Sequence, residues 1–132
     1  MKQLFFAFSI LFCLAATAQN DIKFKDIKHS FGKIKQNKPV TYFFSFKNTG
    51  AKPLIVESAV AGCGCTTPEY PKTPIQKGKE GKIKVTYNAA ASGPFKKDVT
   101  VKFANHAEPT VLVIDGEVIV DAAKGDKPNP EH

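Results

Sequence analysis

Arginine is missing from this sequence: every one of its 19 basic residues is a lysine. Without a guanidinium group the chain has no planar fork to grip a phosphate or a guanine edge at two points. The formal net charge of +7 would otherwise invite a nucleic-acid or anionic-surface partner. The lysines are instead scattered, as at Lys23, Lys25, Lys33, Lys35, Lys82, Lys84 and Lys96, and many alternate with apolar residues. That is the pattern of a solvated strand face, so no nucleic-acid partner is expected.

Long apolar runs are scarce too. The one candidate, Leu4 to Ala16, is shorter than the about 20 residues of an ordinary spanning helix. Lys2 precedes it, and Ala16-Thr17-Ala18 closes it with the small-x-small pattern that signal peptidase reads. Residues 1–18 are therefore expected to be a signal peptide, cut before Gln19. Bulky Ile10, Leu11 and Phe12 precede Cys13, where a lipid-anchor signal would have small residues. The expectation is an exported protein, periplasmic or extracellular, with no membrane span in its mature chain. Cysteine is limited to three. Cys13 leaves with the signal, so Cys63 and Cys65 meet a compartment that permits disulfides.

Catalytic signatures are absent as motifs. There is no Gly-x-Ser-x-Gly elbow, phosphate loop, His-Glu-x-x-His pair or dinucleotide fingerprint. No cofactor is expected. The sequence reads as a non-catalytic interaction or scaffold module serving an unidentified envelope protein.

Alternating strands are what the sequence does contain. In Val40 to Phe46, side chains of Val40, Tyr42, Phe44 and Phe46 share one face. Asn48-Thr49-Gly50 ends that run with turn chemistry. Leu54 to Val60 gives another strand. Lys82 to Tyr87 turns Ile83, Val85 and Tyr87 inward, and Phe95, Lys97, Val99, Val101 and Phe103 share a face. Ile22 to Ile27 reads as a first strand, followed by Phe31-Gly32. Val111 to Val120 reads as strand, broken at Asp115-Gly116 by a bulge or bend. Asp115 and Glu117 are expected to pair with lysines across the sheet. His29 and His106 sit beside turn-like residues and read as surface positions. The sum is an all-β, immunoglobulin-like antiparallel sandwich of about seven strands over residues 19–120. Residues 121–132, polar and Pro-containing, read as a disordered tail.

One combination of segments is specific. It joins Phe46-Lys47-Asn48-Thr49-Gly50, Pro53-Leu54-Ile55, and Gly62-Cys63-Gly64-Cys65-Thr66-Thr67-Pro68-Glu69-Tyr70, with Pro74-Ile75, Gly78 and Gly81 following. In it the chain resembles the bacterial domain of unknown function 1573, over roughly Phe24 to Val118. The resemblance implies an immunoglobulin-like sandwich, distantly like major-sperm-protein and Ash-type domains, an exported location and a Cys-Gly-Cys-Thr signature. It implies no activity. Gly62 departs from the Ser expected before the signature.

Cys63-Gly64-Cys65 is the one constellation with chemistry to weigh. In an extended segment the two side chains point the same way. Their Cβ atoms then stand farther apart than the roughly 3.5–4.5 Å a disulfide wants, unless Gly64 relaxes the backbone. Three readings stay open. The pair is structural, as packed thiols or a tight ring; or it binds a soft metal such as Cu(I) through Cys63 and Cys65; or it is a redox pair without Cys-x-x-Cys spacing. His29, His106 and His132 fall at no recognisable ligand spacing. Thr66 to Pro71 reads as a Pro-bounded loop leaving the sheet, with Tyr70 packed on an edge. Cys63, Gly64, Cys65, Thr66, Thr67 and Tyr70 are the expected binding residues.

Overall fold

A segment with every second residue apolar buries one face and wets the other. In the computed structural model, which describes residues 21–120, this rule produces eight strands. They are β1 (Ile22–Phe24), β2 (Lys28–Lys35), β3 (Val40–Asn48), β4 (Val56–Ala61), β5 (Thr66–Glu69), β6 (Glu80–Tyr87), β7 (Gly93–Phe103) and β8 (Thr110–Ile119). The expected signal peptide and tail lie outside the described residues. Among the described residues there is no helix long and apolar enough to cross a membrane.

The strands form two four-stranded sheets, ordered β1-β3-β6-β5 and β2-β8-β7-β4. This is the immunoglobulin arrangement of an ABED sheet facing a CFG sheet, with β2 added beside the last strand. β2 pairs with β8 in parallel; the other pairs are antiparallel. The expected sandwich is therefore present, with one strand more than anticipated and one parallel pair.

The extra strand comes from the first segment. Ile22 to Ile27 is not one strand. β1 ends at Phe24, the chain crosses the open side of the sandwich, and β2 begins on the other sheet at Lys28. Ile27 stands half exposed in the crossing, and its carbonyl accepts a backbone hydrogen bond from Val113 N–H at 2.8 Å. His29, expected at the surface, consequently lies in β2 and is part-buried. Its ring stacks on Tyr42 at 3.7 Å, with Phe31 edge-on at 4.7 Å. The Tyr42 hydroxyl donates to Asp26 at 2.9 Å, and that bond, with burial, holds the phenol above its ordinary pKa.

Phe44, Phe46, Ile83, Val85, Val99, Val101, Phe103, Leu112 and Ile114 fill the space between the sheets, each at most 1% exposed. Phe46 of β3 meets Phe103 of β7 edge-on across the sheets, with ring centroids 5.3 Å apart. Phe24 packs on both, at 5.4 and 6.1 Å. Antibody domains join the corresponding two strands with a disulfide. Here neither strand contains a cysteine, and an aromatic cluster holds the sheets together.

β8 is unbroken at Asp115-Gly116. Its register with β7 runs evenly from Thr110 to Val118. The irregularity lies opposite, in β2, where pairing slips by one residue between Ser30 and Lys33. Gly116 is there because two neighbours come too close for a side chain. A Cβ at this position would lie 2.7 Å from the Gly32 carbonyl oxygen and 2.9 Å from the Phe95 ring. Gly116→Ala is expected to cost about 1–3 kcal/mol through overpacking, read as a lower urea midpoint. Asp115 lies opposite Lys96 and Glu117 opposite Lys33 in the register, but among the described residues neither carboxylate comes within ion-pair distance of a lysine; the pairs formed are Lys84–Glu69, Lys102–Glu57 and His106–Asp21.

Candidate functional site

β4 edges one sheet and β5 edges the other, on the same side of the sandwich. The chain must therefore cross between layers within residues 62–65. Gly62 and Gly64 are exposed, with open space where a Cβ would stand. They bracket Cys63 and leave the crossing clear of the frame.

The crossing is a turn, not an extended segment. The Thr66 amide donates to the Cys63 carbonyl at 3.5 Å, and the Cys63 and Cys65 Cα atoms come to 5.3 Å. That lies within the usual disulfide span of about 4.4–6.8 Å, and the two sulfurs are bonded. The geometric objection raised from strand spacing fails because the backbone bends. The pair is a closed ring, a state that both the structural and the redox reading allow. As a disulfide the pair offers no thiolate to a metal. Among the described residues there is no cluster of three or more His, Cys, Asp or Glu placed to hold one.

Thr66 stands against the bridge. It is 4% exposed, and its hydroxyl lies 3.8 Å from Cys63 Sγ and 3.7 Å from Cys65 Sγ. Cys65 packs against the core. Apart from the cysteines, no ionisable side chain occurs from Gly62 to Thr67.

The base of the turn is held by the backbone of its neighbours. Gly62 N–H donates to Asp98 O at 3.3 Å, and Asn88 N–H donates to Cys65 O at 2.9 Å. Asn88 begins the β6–β7 loop, which continues through buried Ala89 at φ +56°. Ala90 N–H donates to the Asn88 side chain at 3.1 Å. Asn37 N–H reaches Ala89 O, and the Gln36 side chain reaches Ala90 O, both at 2.9 Å. Three connections thus meet at one end of the sandwich. Sequence reasoning missed Asn88 to Ala90, because an alanine in the left-handed region leaves no compositional signal.

The expected binding residues divide. Cys63, Gly64, Cys65 and Thr66 come together. Thr66 to Glu69 is strand β5, paired with β6, and not a loop; Pro68 is tolerated because the strand is an edge. Thr67 is exposed on the outer face, opposite Thr86. Tyr70 lies beyond the far end of β5, under the Lys72 ammonium at 3.5 Å from its ring centre. Neither belongs to the cysteine turn.

A bridge spanning a single residue constrains the unfolded chain little. The loop-entropy relation gives on the order of 1.5 kcal/mol for a three-residue ring. Cys63→Ser/Cys65→Ser is therefore expected to lose no more than about 1.5 kcal/mol, measured by urea unfolding.

The opposite end carries an open cleft lined by Asp21, Asn48, Lys52, Leu54, His106 and Glu108 among others. Its polar groups hold turns: His106 Nδ1 lies 2.9 Å from Ala104 O, and Asn48 bonds Lys52 O.

No curated protein matches the chain. Solved structures do. A protein of unknown function from Porphyromonas gingivalis matches 74% of this chain at 14% identity, TM-score 0.64, over 46% of its own length. The VesB protease of Vibrio cholerae matches 75% at 13% identity, TM-score 0.60, over 32% of its length. The chain thus spans less than half of either protein. The ASH / PapD-like domain of human CEP192 matches 76% at 10% identity, TM-score 0.59, over 86% of its length. At these identities the likeness shows the fold alone. The model of one sequence family, described as Protein of unknown function (DUF1573), matches residues 22–118, and with that match over most of its length the chain belongs to the DUF1573 family.

Proposed function

We propose that this chain is an exported, non-catalytic interaction module that presents the Gly62–Thr66 turn to another protein of the cell envelope. The observation that carries this reading is the turn itself: a bonded, glycine-flanked projection fixed by backbone hydrogen bonds to a rigid two-layer frame. Binding residues reside disproportionately on such loops. The run Leu4 to Ala16, closed by Ala16-Thr17-Ala18, supports export.

The sheet edges are poorer candidates. β1 has three residues, and β5 has four with Pro68 among them. Pairing of β4 slips between Val56 and Ser58, and that of β2 between Ser30 and Lys33. β2 also carries Lys28, Lys33 and Lys35. Shortness, proline, bulges and lysines are the devices that discourage a strand from adding to an edge.

A pull-down from envelope extract, using wild type and Cys63→Ser/Cys65→Ser, tests the proposal. The expected result is at least one partner captured by the wild type and lost with the variant. Identical partner lists would remove the turn from the interaction.

A further inference from the structure

We infer that the Cys63–Cys65 bridge is a thiol–disulfide exchange site, one that accepts two electrons from a dithiol, the paired cysteines of another exported polypeptide. This goes beyond contact: it gives the module a chemistry of its own, consuming its disulfide once per encounter.

Four observations support exchange over a structural role. The bridge joins no separate elements, since one residue lies between its ends. The turn is fixed without it, through Gly62 N–H on Asp98 O and Asn88 N–H on Cys65 O. Opening the bond therefore unties nothing in the fold. Gly62 and Gly64 have no side chains to block the approach to Cys63. Finally, the Thr66 hydroxyl reaches both sulfurs, where it can donate to whichever becomes a thiolate, and a stabilised thiolate is the better leaving group.

Packing assigns the direction of attack. Both cysteines are part-buried, but Cys65 packs on the core and Cys63 is not among the residues that do, so the incoming thiolate meets Cys63 Sγ from the solvent side. A bond forms between the substrate sulfur and Cys63 Sγ. The Cys63–Cys65 bond breaks, and its electron pair passes to Cys65 Sγ, which accepts the Thr66 hydrogen bond and then a proton from water. The substrate's second thiolate attacks its own sulfur in the mixed disulfide and releases Cys63 as a thiolate, which is protonated in turn. The substrate dithiol loses two electrons and two protons and closes a disulfide. The protein's bridge gains them and becomes two thiols.

Reduced glutathione is the probe, with the purified protein carrying Cys13→Ser so that only this pair reacts. Exposed, exchangeable disulfides open within the glutathione range, whereas structural ones resist it. The expected result is two alkylatable thiols per chain in millimolar reduced glutathione, an unchanged β-sheet circular dichroism spectrum, and reclosure by oxidised glutathione. A bond that stays closed until the sandwich melts would overturn the inference. Given oxidised glutathione, Cys65→Ser should form a mixed disulfide through Cys63 about tenfold faster than Cys63→Ser does through Cys65. Equal rates would overturn the direction of attack. Thr66→Val should slow opening of the bridge about tenfold at an unchanged melting temperature; an unaltered rate would contradict the role of the hydroxyl. None of these readouts involves the envelope partner, so the exchange chemistry and the interaction reading can fail separately.

Discussion

Phe46→Ala lowers the stability of the sandwich by about 3–5 kcal/mol, the usual range for emptying a buried aromatic site. Phe46 is 1% exposed and stands at the meeting point of both sheets. Its ring contacts Phe103 across the layers and Phe24 beside it. Gly81 lies under it so closely that a Cβ there would sit 2.5 Å from the ring, so the frame has been shaped around this one side chain. Alanine leaves a void bounded by three strands that cannot collapse without breaking register. In a domain of this size each kcal/mol moves the melting temperature by about 4–8 °C, so calorimetry should record a fall of more than about 10 °C. Phe43, on the opposite face of the same strand, is 51% exposed. Phe43→Ala should change stability by no more than about 0.5 kcal/mol. Similar losses at both positions would mean that the alternation does not set the core.

Asn48→Leu is the polar counterpart, with an expected loss of about 2–4 kcal/mol in urea unfolding. Asn48 is fully buried at the end of β3. Its side-chain amide donates to Lys52 O and Ile75 O, both at 2.8 Å, and its side-chain oxygen accepts from Gly50 N–H at 3.0 Å. One side chain thereby ties the β3–β4 turn to the β5–β6 connection. Leucine fills the volume but strands Gly50 N–H and Lys52 O, and a buried polar group without a partner costs more than a made hydrogen bond contributes. Asn48→Asp keeps the acceptor and loses the donor pair. At neutral pH it turns a buried carboxylate oxygen toward two carbonyl oxygens, so it should lose at least as much stability as Asn48→Leu. An Asn48→Leu protein as stable as wild type would show that the turns hold themselves.

The pattern of the chain revealed the layers because burial imposes a period of two. Phe44 and Phe46, Ile83 to Tyr87, and Val99 to Phe103 all fall on the inner faces their alternation dictates. Pairing between strands left no such mark. Nothing in Ile22 to Ile27 tells that the chain changes sheets at Lys25, because that depends on which neighbour each half finds. Gly116 looked like a break in β8 when its real cause is the approach of the Gly32 backbone from another strand. Asn48 was legible as turn chemistry, but its buried bonds to residues far along the chain were not. At the site, Cys63 and Cys65 stood out by type alone. Their bonding depended on a turn set by Asn88, Asp98 and Thr66, and that is a tertiary matter.

The central claim is that a stable two-layer frame carries the Cys63–Cys65 turn as a separable element. Amide NMR spectra of the oxidised and reduced protein test it most directly. Shifts should be confined to residues 62–67 and the neighbouring Asn88–Ala90 stretch, with the amides of Phe44, Phe46, Val101 and Phe103 unmoved. Shifts spread through those core strands, or loss of spectral dispersion on reduction, would contradict it.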